Sequence, residues 1–316
     1  MDQSPANKIE LTQRVAVCIP TYQRQQLLHD CLGSIESLRV PKNTEVHIVV
    51  VDNDAAGSAK AVVDKKVASS PFSIHYFIEP ARGLASVRNR LVEEAIALNS
   101  DYFAFIDDDE QASADWLYKH MDLMHQKQAD VSCGPVRPVG ASLEVKGKKA
   151  IESGSVPRHV STNNVIFSNK LVCSQGLRFD TFYNFIGGED FDFFERSREM
   201  GNRHTWCEEA YVEETITADR DSFTYLFYRH YTGGINAVIR YRKKRSTVGA
   251  WFRFLPKSLG KIIGAVFYLL FSLLGIRRAP LAIATKKIGS GIGYIAALMN
   301  VSTARYGSDN AEQVRS

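Results

Sequence analysis

Three adjacent carboxylates are the residues of this 316-residue sequence best suited to chemistry. Asp107, Asp108 and Asp109 follow the apolar run Tyr102–Ile106, which has the composition of a buried strand. Alternate side chains of an extended chain share a face, so Asp107 and Asp109 can reach one site. Close carboxylates raise each other's pKa unless a cation lies between them, and oxygen ligands suit Mg²⁺ or Mn²⁺ bound to phosphate. The position at a strand end favours metal binding over the alternative, a turn whose acids face water.

A second acidic pair follows two glycines in the string Gly187, Gly188, Glu189, Asp190. Two glycines allow a tight turn that directs the carboxylates into a cleft. The alternative is a helix N-terminus, where acidic side chains stabilise the helix dipole. On these residues alone, the helix terminus is the simpler interpretation.

Strand-like and helix-like segments alternate before these acids. Strands are expected at residues 15–20, 46–51, 74–78 and 102–106, and helices at 25–39, 59–67 and 85–98. This order predicts an α/β domain with a parallel, doubly wound sheet over about the first 110 residues. Ligands bind beyond the carboxyl ends of such strands, and three of the four segments there contain carboxylates. Past Val139 we expect a loop at 140–160, short strands at 164–167 and 171–173, and a helix at 191–200.

Charge divides the chain into an acidic body and a basic tail. Residues 1–221 hold 24 basic and 33 acidic side chains, whereas the stretch between Asp221 and Asp309 has 14 Lys and Arg and no acid. The two parts are therefore expected to have different surroundings. The five cysteines include no Cys-x-x-Cys pair, which indicates a reducing compartment, and the polar residues 1–10 resemble no signal peptide.

The basic tail contains an uncharged run of 15 residues at 262–276. A membrane-spanning helix needs about 20 residues, so a single pass is marginal. We favour an interfacial or re-entrant helix whose flanking basic residues at 242–245 and 277–278 bind anionic headgroups. A second apolar stretch at 288–299 could pack beside it. A core helix is the alternative, and nucleic-acid binding is disfavoured because the run is too apolar.

Five strings in order resemble the glycosyltransferase family 2, which has the nucleotide-sugar-binding GT-A fold: VAVCIPTYQR, VVVDND, EPARGLASVRN, FIDDDE and GGEDFDFFERSREMG. The resemblance implies a GT-A domain at about 14–240 with a mixed, mainly parallel sheet, after an extension at 1–13 and before a membrane-associating helical tail at 241–316. It implies a metal-dependent, inverting hexosyltransferase of polysaccharide biosynthesis on the cytoplasmic face of a membrane. The donor would be a UDP-sugar, the acceptor a lipid-linked glycan hydroxyl and the cofactor Mg²⁺ or Mn²⁺.

The resemblance also assigns roles to particular residues. Asp190 would be the general base with Glu189 orienting the acceptor, and Asp107 and Asp109 would bind the metal. The residues expected at the nucleotide sugar are Thr21, Arg24, Asp52, Arg82, Gly83, Arg88, Asp107 and Asp108. Asp52 would accept a hydrogen bond from the uracil ring; its alternative role is to cap the helix near residue 59, for which Asp54 is the better candidate.

Two departures from the family pattern concern the phosphate and metal contacts. Segment 79–82 lacks the Asn that many members have, and neither His204 nor His230 has the spacing of the usual histidine. Glu213 or Glu214 could take its place as a ligand.

Two other functions compete with sugar transfer. A nucleotidyltransferase would need a Gly-rich phosphate loop with a Lys after the first strand, which PTYQR lacks. A membrane-tethered sugar-nucleotide-binding protein without activity is disfavoured by the intact Asp107, Asp109 and Asp190.

Overall fold

The computed structural model describes residues 12–140, 150–273 and 278–301. A seven-stranded sheet forms its centre, with strands β1 Gln13–Thr21, β2 Thr44–Asp52, β3 Ser73–Ile78, β4 Tyr102–Ile106, β6 Val131–Cys133, β8 Asn164–Ser168 and β9 His204–Trp206. The spatial order is β3-β2-β1-β4-β8-β6-β9. The first four strands are parallel, as predicted, whereas β8 runs antiparallel to both β4 and β6.

Helices cover both faces of this sheet: α1 Gln25–Glu36, α2 Lys60–Val67, α3 Leu84–Ala97, α4 Trp116–Lys127 and α5 Glu189–Glu199. Alternate residues of β1 enter opposite cores, since Val17 packs with α1, α2 and α4, and Cys18 packs with α3 and α5. The continuous apolar strands of the sequence follow from this burial on two faces. All five cysteines are free.

A second sheet of three short strands lies beside the end of β4. It consists of β5 Glu110–Ala112, β10 Val212–Thr215 and β7 Val136–Val139, in the order β5-β10-β7. Its register pairs Glu214 with Glu110, and the backbone N–H of Thr215 donates to the carbonyl of Asp109 at 3.1 Å. These contacts bring β10, distant in sequence, to the acidic turn after β4.

Three long helices follow: α6 Phe223–Lys244, α7 Thr247–Leu273 and α8 Arg278–Leu298. Close approach of α8 to α6 requires small residues, because a Cβ on Gly293 would lie 2.2 Å from the carbonyl oxygen of Tyr231. Residue 240, the predicted end of the GT-A domain, lies inside α6. Helix α8 packs on both α6 and α7.

Some local expectations were wrong. The strand expected at 171–173 is a π-helical turn, Lys170–Ser174, and the first helix ends at Glu36 rather than at 39. The three-residue strands β5, β6 and β9 carried no sequence signal. Of the loop expected at 140–160, residues 141–149 lie outside the described residues.

Candidate active site

A cavity of about 430 Å³ opens beyond the carboxyl ends of β1 and β4. Its lining joins three parts of the chain that are distant in sequence: the acidic turn 107–110, the turn 187–190 before and at the start of α5, and Arg220 with Arg229 from the region around the start of α6. Both acidic motifs of the sequence therefore meet in one site.

Asp107, Asp108 and Asp109 all line this cavity. Asp108 lies on this face together with Asp107 and Asp109, because residues 108 and 109 form a turn rather than continue the strand. Asp108 and Asp109 are buried, whereas the side chain of Asp107 is 34% exposed. Asp107 is thus the most accessible of the three carboxylates.

Two arginines and a threonine hold the buried pair. Thr21 Oγ1 donates to Asp108 Oδ2 at 2.8 Å, and Arg24 Nη1 donates to Asp108 Oδ1 at 3.0 Å and to Asp109 Oδ2 at 3.1 Å. Arg220 Nη1 donates to the same Asp109 oxygen at 2.7 Å. Thr21 and Arg24 line the cavity as expected, and within the protein they position the acidic turn.

The cavity carries more acid than its arginines neutralise. Its lining has seven carboxyl groups and five guanidinium groups. Burial raises the pKa of Asp107, raises the pKa of Asp108 to about 6, and raises the pKa of Glu110 well above its usual range. Burial and then the charge of Asp109 raise the pKa of Glu214. The lining therefore has two carboxyl groups more than it has guanidinium groups, and a hard divalent cation on these oxygens would favour the ionised carboxylates that burial disfavours.

Arg88 connects the two acidic segments. It lies in α3 and its buried guanidinium donates to Glu189, while its Nη2 lies 3.7 Å from Asp107 Oδ1. Burial raises the pKa of Glu189, and the charge of Arg88 opposes that rise. Arg88 lines the cavity as expected, but its direct partner is Glu189.

Asp190 enters the cavity from the first turn of α5. Gly187 and Gly188 precede it with φ of 81° and 97°, which favour glycine, so the tight turn expected there is confirmed. A Cβ on Gly188 would also lie 2.3 Å from Arg240 Nη1. The turn and the helix start coexist, because the first turn of α5 carries Glu189, Asp190 and Asp192.

Asp52, which was expected to contact a uracil ring, lies outside the lining of the cavity. It is fully buried. Its Oδ1 accepts from the N–H of Asp54 at 2.9 Å, and its Oδ2 accepts from the N–H of Ala59 at 2.8 Å and from Tyr76 at 3.0 Å. Asp52, rather than Asp54, thus fixes the start of α2, and the next residue, Asn53, lines the cavity.

Arg82 and Gly83 lie on the cavity wall, as expected. The Arg82 guanidinium lies 5.0 Å from the ring centre of Tyr22 and donates to its hydroxyl at 3.1 Å. Gly83 has φ of 130°, and a Cβ there would lie 2.3 Å from Asn184. The expected need for glycine at this position is confirmed.

Several lining residues had not been singled out: Tyr22, Asn53, residues 161–163, Arg220, Tyr225 and Arg229. Of the two glutamates proposed in place of a histidine, Glu214 lines the cavity, and Glu213 is exposed and does not. His204 and His230 are not among the lining residues. One sequence feature could have pointed to Arg220, because it lies between two aspartates in the string ADRDS.

Comparisons with known proteins identify the family and the fold of this chain. The family model described as Glycosyl transferase family 2 matches residues 16–181. The succinoglycan biosynthesis protein ExoM of Rhizobium meliloti is 29% identical over 237 residues, which are 71% of this chain and 74% of that protein.

Two solved structures have the same fold. The mannosyltransferase PcManGT from Pyrobaculum calidifontis, in complex with GDP-Man and Mn²⁺, is 16% identical with a TM-score of 0.66, over 92% of this chain and 88% of that one. S. aureus TarS 1-349 in complex with UDP-GlcNAc is 15% identical with a TM-score of 0.54, over 91% and 92% of the two chains. The expected GT-A architecture, a mixed and mainly parallel sheet flanked by helices, is thereby confirmed.

Proposed function

The chain belongs to glycosyltransferase family 2, and we propose that it transfers a hexosyl group from a UDP-sugar to a hydroxyl of a glycan with inversion at the anomeric carbon. The observation that carries the proposal is that Asp109 and Asp190 line one cavity. One carboxylate can then act at the leaving diphosphate while the other acts at the incoming hydroxyl.

The choice of uridine and of polysaccharide biosynthesis draws on the relatives. TarS is described with UDP and with UDP-GlcNAc, and ExoM is a succinoglycan biosynthesis protein. PcManGT is described with GDP-Man, so the fold accepts more than one base. Since the carboxylate of Asp52 is held inside the protein, Asn53, Arg82 and Tyr22 on the cavity wall are the proposed neighbours of the nucleotide.

Asp107 and Asp109 are the residues that we propose hold Mg²⁺ or Mn²⁺. The fit rests on hard oxygen ligands and on a lining that has two more carboxyl groups than guanidinium groups. When bound, such an ion neutralises charge that develops on the diphosphate.

Asp190 is the proposed general base. It lies at the start of α5 and is partly exposed to the cavity, so an acceptor hydroxyl can reach its carboxylate. The proton would pass from that hydroxyl to Asp190 as the new bond forms on the face opposite the diphosphate. Arg88 fixes the neighbouring Glu189 from α3, which holds the first turn of α5 against the acidic turn.

The exposed apolar surface of helix α7 is our reason for placing the enzyme and its acceptor at a membrane. Among the described residues, Thr247–Ser272 form the one helix that is long and apolar enough to cross a membrane, and little of it is buried inside the protein. Phe252 and Phe267 are 80% and 59% exposed on this helix. We propose that α7 lies in or on the cytoplasmic leaflet and that the acceptor is lipid-linked.

Purified protein incubated with a panel of UDP-sugars, GDP-mannose and Mn²⁺ or Mg²⁺ tests the proposal. We expect release of UDP from one or more UDP-sugars by the wild type, and loss of that release in Asp109→Ala. Release from GDP-mannose alone would contradict the uridine assignment. Equal release by both proteins, with or without divalent ions, would contradict the role of Asp109.

A further inference from the structure

We infer that Arg220 is a clamp on the acidic site, because its guanidinium binds both Asp109 and Glu214. When a divalent cation binds these carboxylates in place of Arg220, the guanidinium binds the diphosphate of the nucleotide instead. This inference rests on the proposed function, because it takes a nucleoside diphosphate and a divalent cation as the ligands of the cavity.

The clamp is defined by two short contacts from one nitrogen. Arg220 Nη1 lies 2.7 Å from Asp109 Oδ2 and 3.2 Å from Glu214 Oε1, with the arginine side chain 19% exposed. Asp109 Oδ2 also accepts from Arg24 at 3.1 Å. A cation that binds this oxygen must therefore displace at least one guanidinium group. Within the described residues, no three His, Cys, Asp or Glu side chains already surround a point suitable for a metal ion.

Of the two arginines, Arg220 is better placed to move. The Arg24 side chain is the more exposed of the two, at 40% against 19%. However, Arg24 directly precedes α1, whose Leu28 and Leu32 are fully buried, and it also holds Asp108. Arg220 lies in the turn between β10 and α6, where its backbone N–H bonds the carbonyl of Thr217. A surface turn can reorient at lower cost than a helix anchored in the core.

The partners of Arg220 explain why a cation would replace it. The pairing of β10 with β5 fixes Glu214 beside the acidic turn. Without a positive charge between them, Asp109 and Glu214 repel each other, and a hard divalent ion relieves that repulsion. The released guanidinium then stays in the same cavity, where its planar donors match phosphate oxygens.

Two binding measurements with opposite expected signs test the clamp. Mn²⁺ binding without nucleotide is followed by electron paramagnetic resonance, and UDP binding at saturating Mn²⁺ by calorimetry. The variant is Arg220→Ala, and its matched control is Arg229→Ala, which removes the same charge from the same cavity. The charge of Arg229 also acts on Glu214, but among the described residues Arg229 has no ion pair with Asp109 or Glu214. Thermal melts verify that both variants fold.

We expect Arg220→Ala to bind Mn²⁺ about five- to tenfold more tightly than Arg229→Ala and to bind UDP about tenfold more weakly than the wild type. Arg220→Lys, which keeps the charge, should lie between the wild type and Arg220→Ala in both measurements. Equal Mn²⁺ affinity in the two alanine variants would overturn the clamp while leaving the proposed function intact. If the wild type itself binds no Mn²⁺ with UDP present, the metal assignment fails, and the clamp fails with it.

Discussion

Asp109, in the turn after β4, and Asp190, in the first turn of α5, line the same cavity. Burial raises the pKa of Asp107, and the negative charges of both Asp109 and Asp190 raise it further. Arg88 joins the two walls through Glu189 and approaches Asp107 at 3.7 Å.

The stereochemistry of transfer follows from a base placed apart from the diphosphate site. A single displacement assisted by Asp190 inverts the anomeric carbon, so an α-linked UDP-sugar should yield a β-linked product. The proton coupling constant of the anomeric centre in the product measures this outcome. A product with retained configuration would contradict the assignment of Asp190 as base.

The buried pair of Arg88 and Glu189 should matter for stability as well as for the site. Glu189→Gln removes the nearest carboxylate from the buried Arg88 guanidinium and leaves Asp107 at 3.7 Å. This loss should lower the free energy of unfolding by about 3 kcal/mol. Urea denaturation measures the change. On the same helix as Arg88, the more exposed pair of Arg90 and Glu94 supplies the control, and Glu94→Gln should cost less than about 0.5 kcal/mol. Equal losses in the two variants would show that the Arg88 pair has no special role.

His120 predicts sensitivity of the fold to acid. Its Nε2 lies 2.9 Å from Asn164 Oδ1 and its Nδ1 lies 2.8 Å from Ser132 Oγ, and burial lowers its pKa to about 4. Below the ordinary pKa of about 6.5, the unfolded chain binds a proton that the folded protein does not. Stability should therefore fall as the pH drops from about 6.5 towards 4, by as much as about 3 kcal/mol from this residue.

Urea denaturation across this pH range measures the effect of His120. In His120→Gln the slope of unfolding free energy against pH should be shallower, even if the variant is less stable at neutral pH. His29→Gln is the control, because His29 is exposed. An unchanged slope in His120→Gln would mean that other groups cause the acid sensitivity.

The exposed apolar face of α7 predicts membrane binding that acidic substitutions on this face should disrupt. Phe252→Glu combined with Phe267→Glu places two acids on this face, and we expect most of the protein to leave anionic vesicles in a flotation assay. Met200→Glu, a similar change at a 50% exposed residue just past α5, should float like the wild type. Flotation of the double variant at the wild-type level would contradict the role of α7. These substitutions preserve the packing of α8 on α6, which truncation would remove.

The sequence predicted the parts of the fold whose signal is local. The four parallel strands were visible because runs such as Val46–Val51 are buried on both faces. The strands of three residues were not visible, because Val131–Cys133 and His204–Trp206 exist only through pairing with distant segments. The direction of the antiparallel β8 was not visible either, because it is set by pairing with β4 and the three apolar residues of this five-residue strand do not encode it.

Within the site, motifs located the acids, but their partners depend on the fold. Asp107, Asp109 and Asp190 belong to strings that follow strand or glycine signals, and the structure brings them together. Asp52 lies outside the cavity lining because the chain bends back so that Ala59 and Tyr76 reach its carboxylate. Arg220 escaped notice because its role comes from the pairing of β10 with β5, which has no counterpart in local spacing.

The most direct test of the account is UDP affinity at saturating Mn²⁺, measured by calorimetry on Asp109→Asn and Asp190→Asn in parallel with sugar transfer. The account predicts that Asp109→Asn loses UDP affinity about tenfold or more, whereas Asp190→Asn binds UDP like the wild type but transfers sugar about 10²–10⁴-fold more slowly. Equal loss of UDP affinity in both variants, or full transfer by Asp190→Asn, would contradict the assignment of Asp109 to donor binding and of Asp190 to deprotonation of the acceptor.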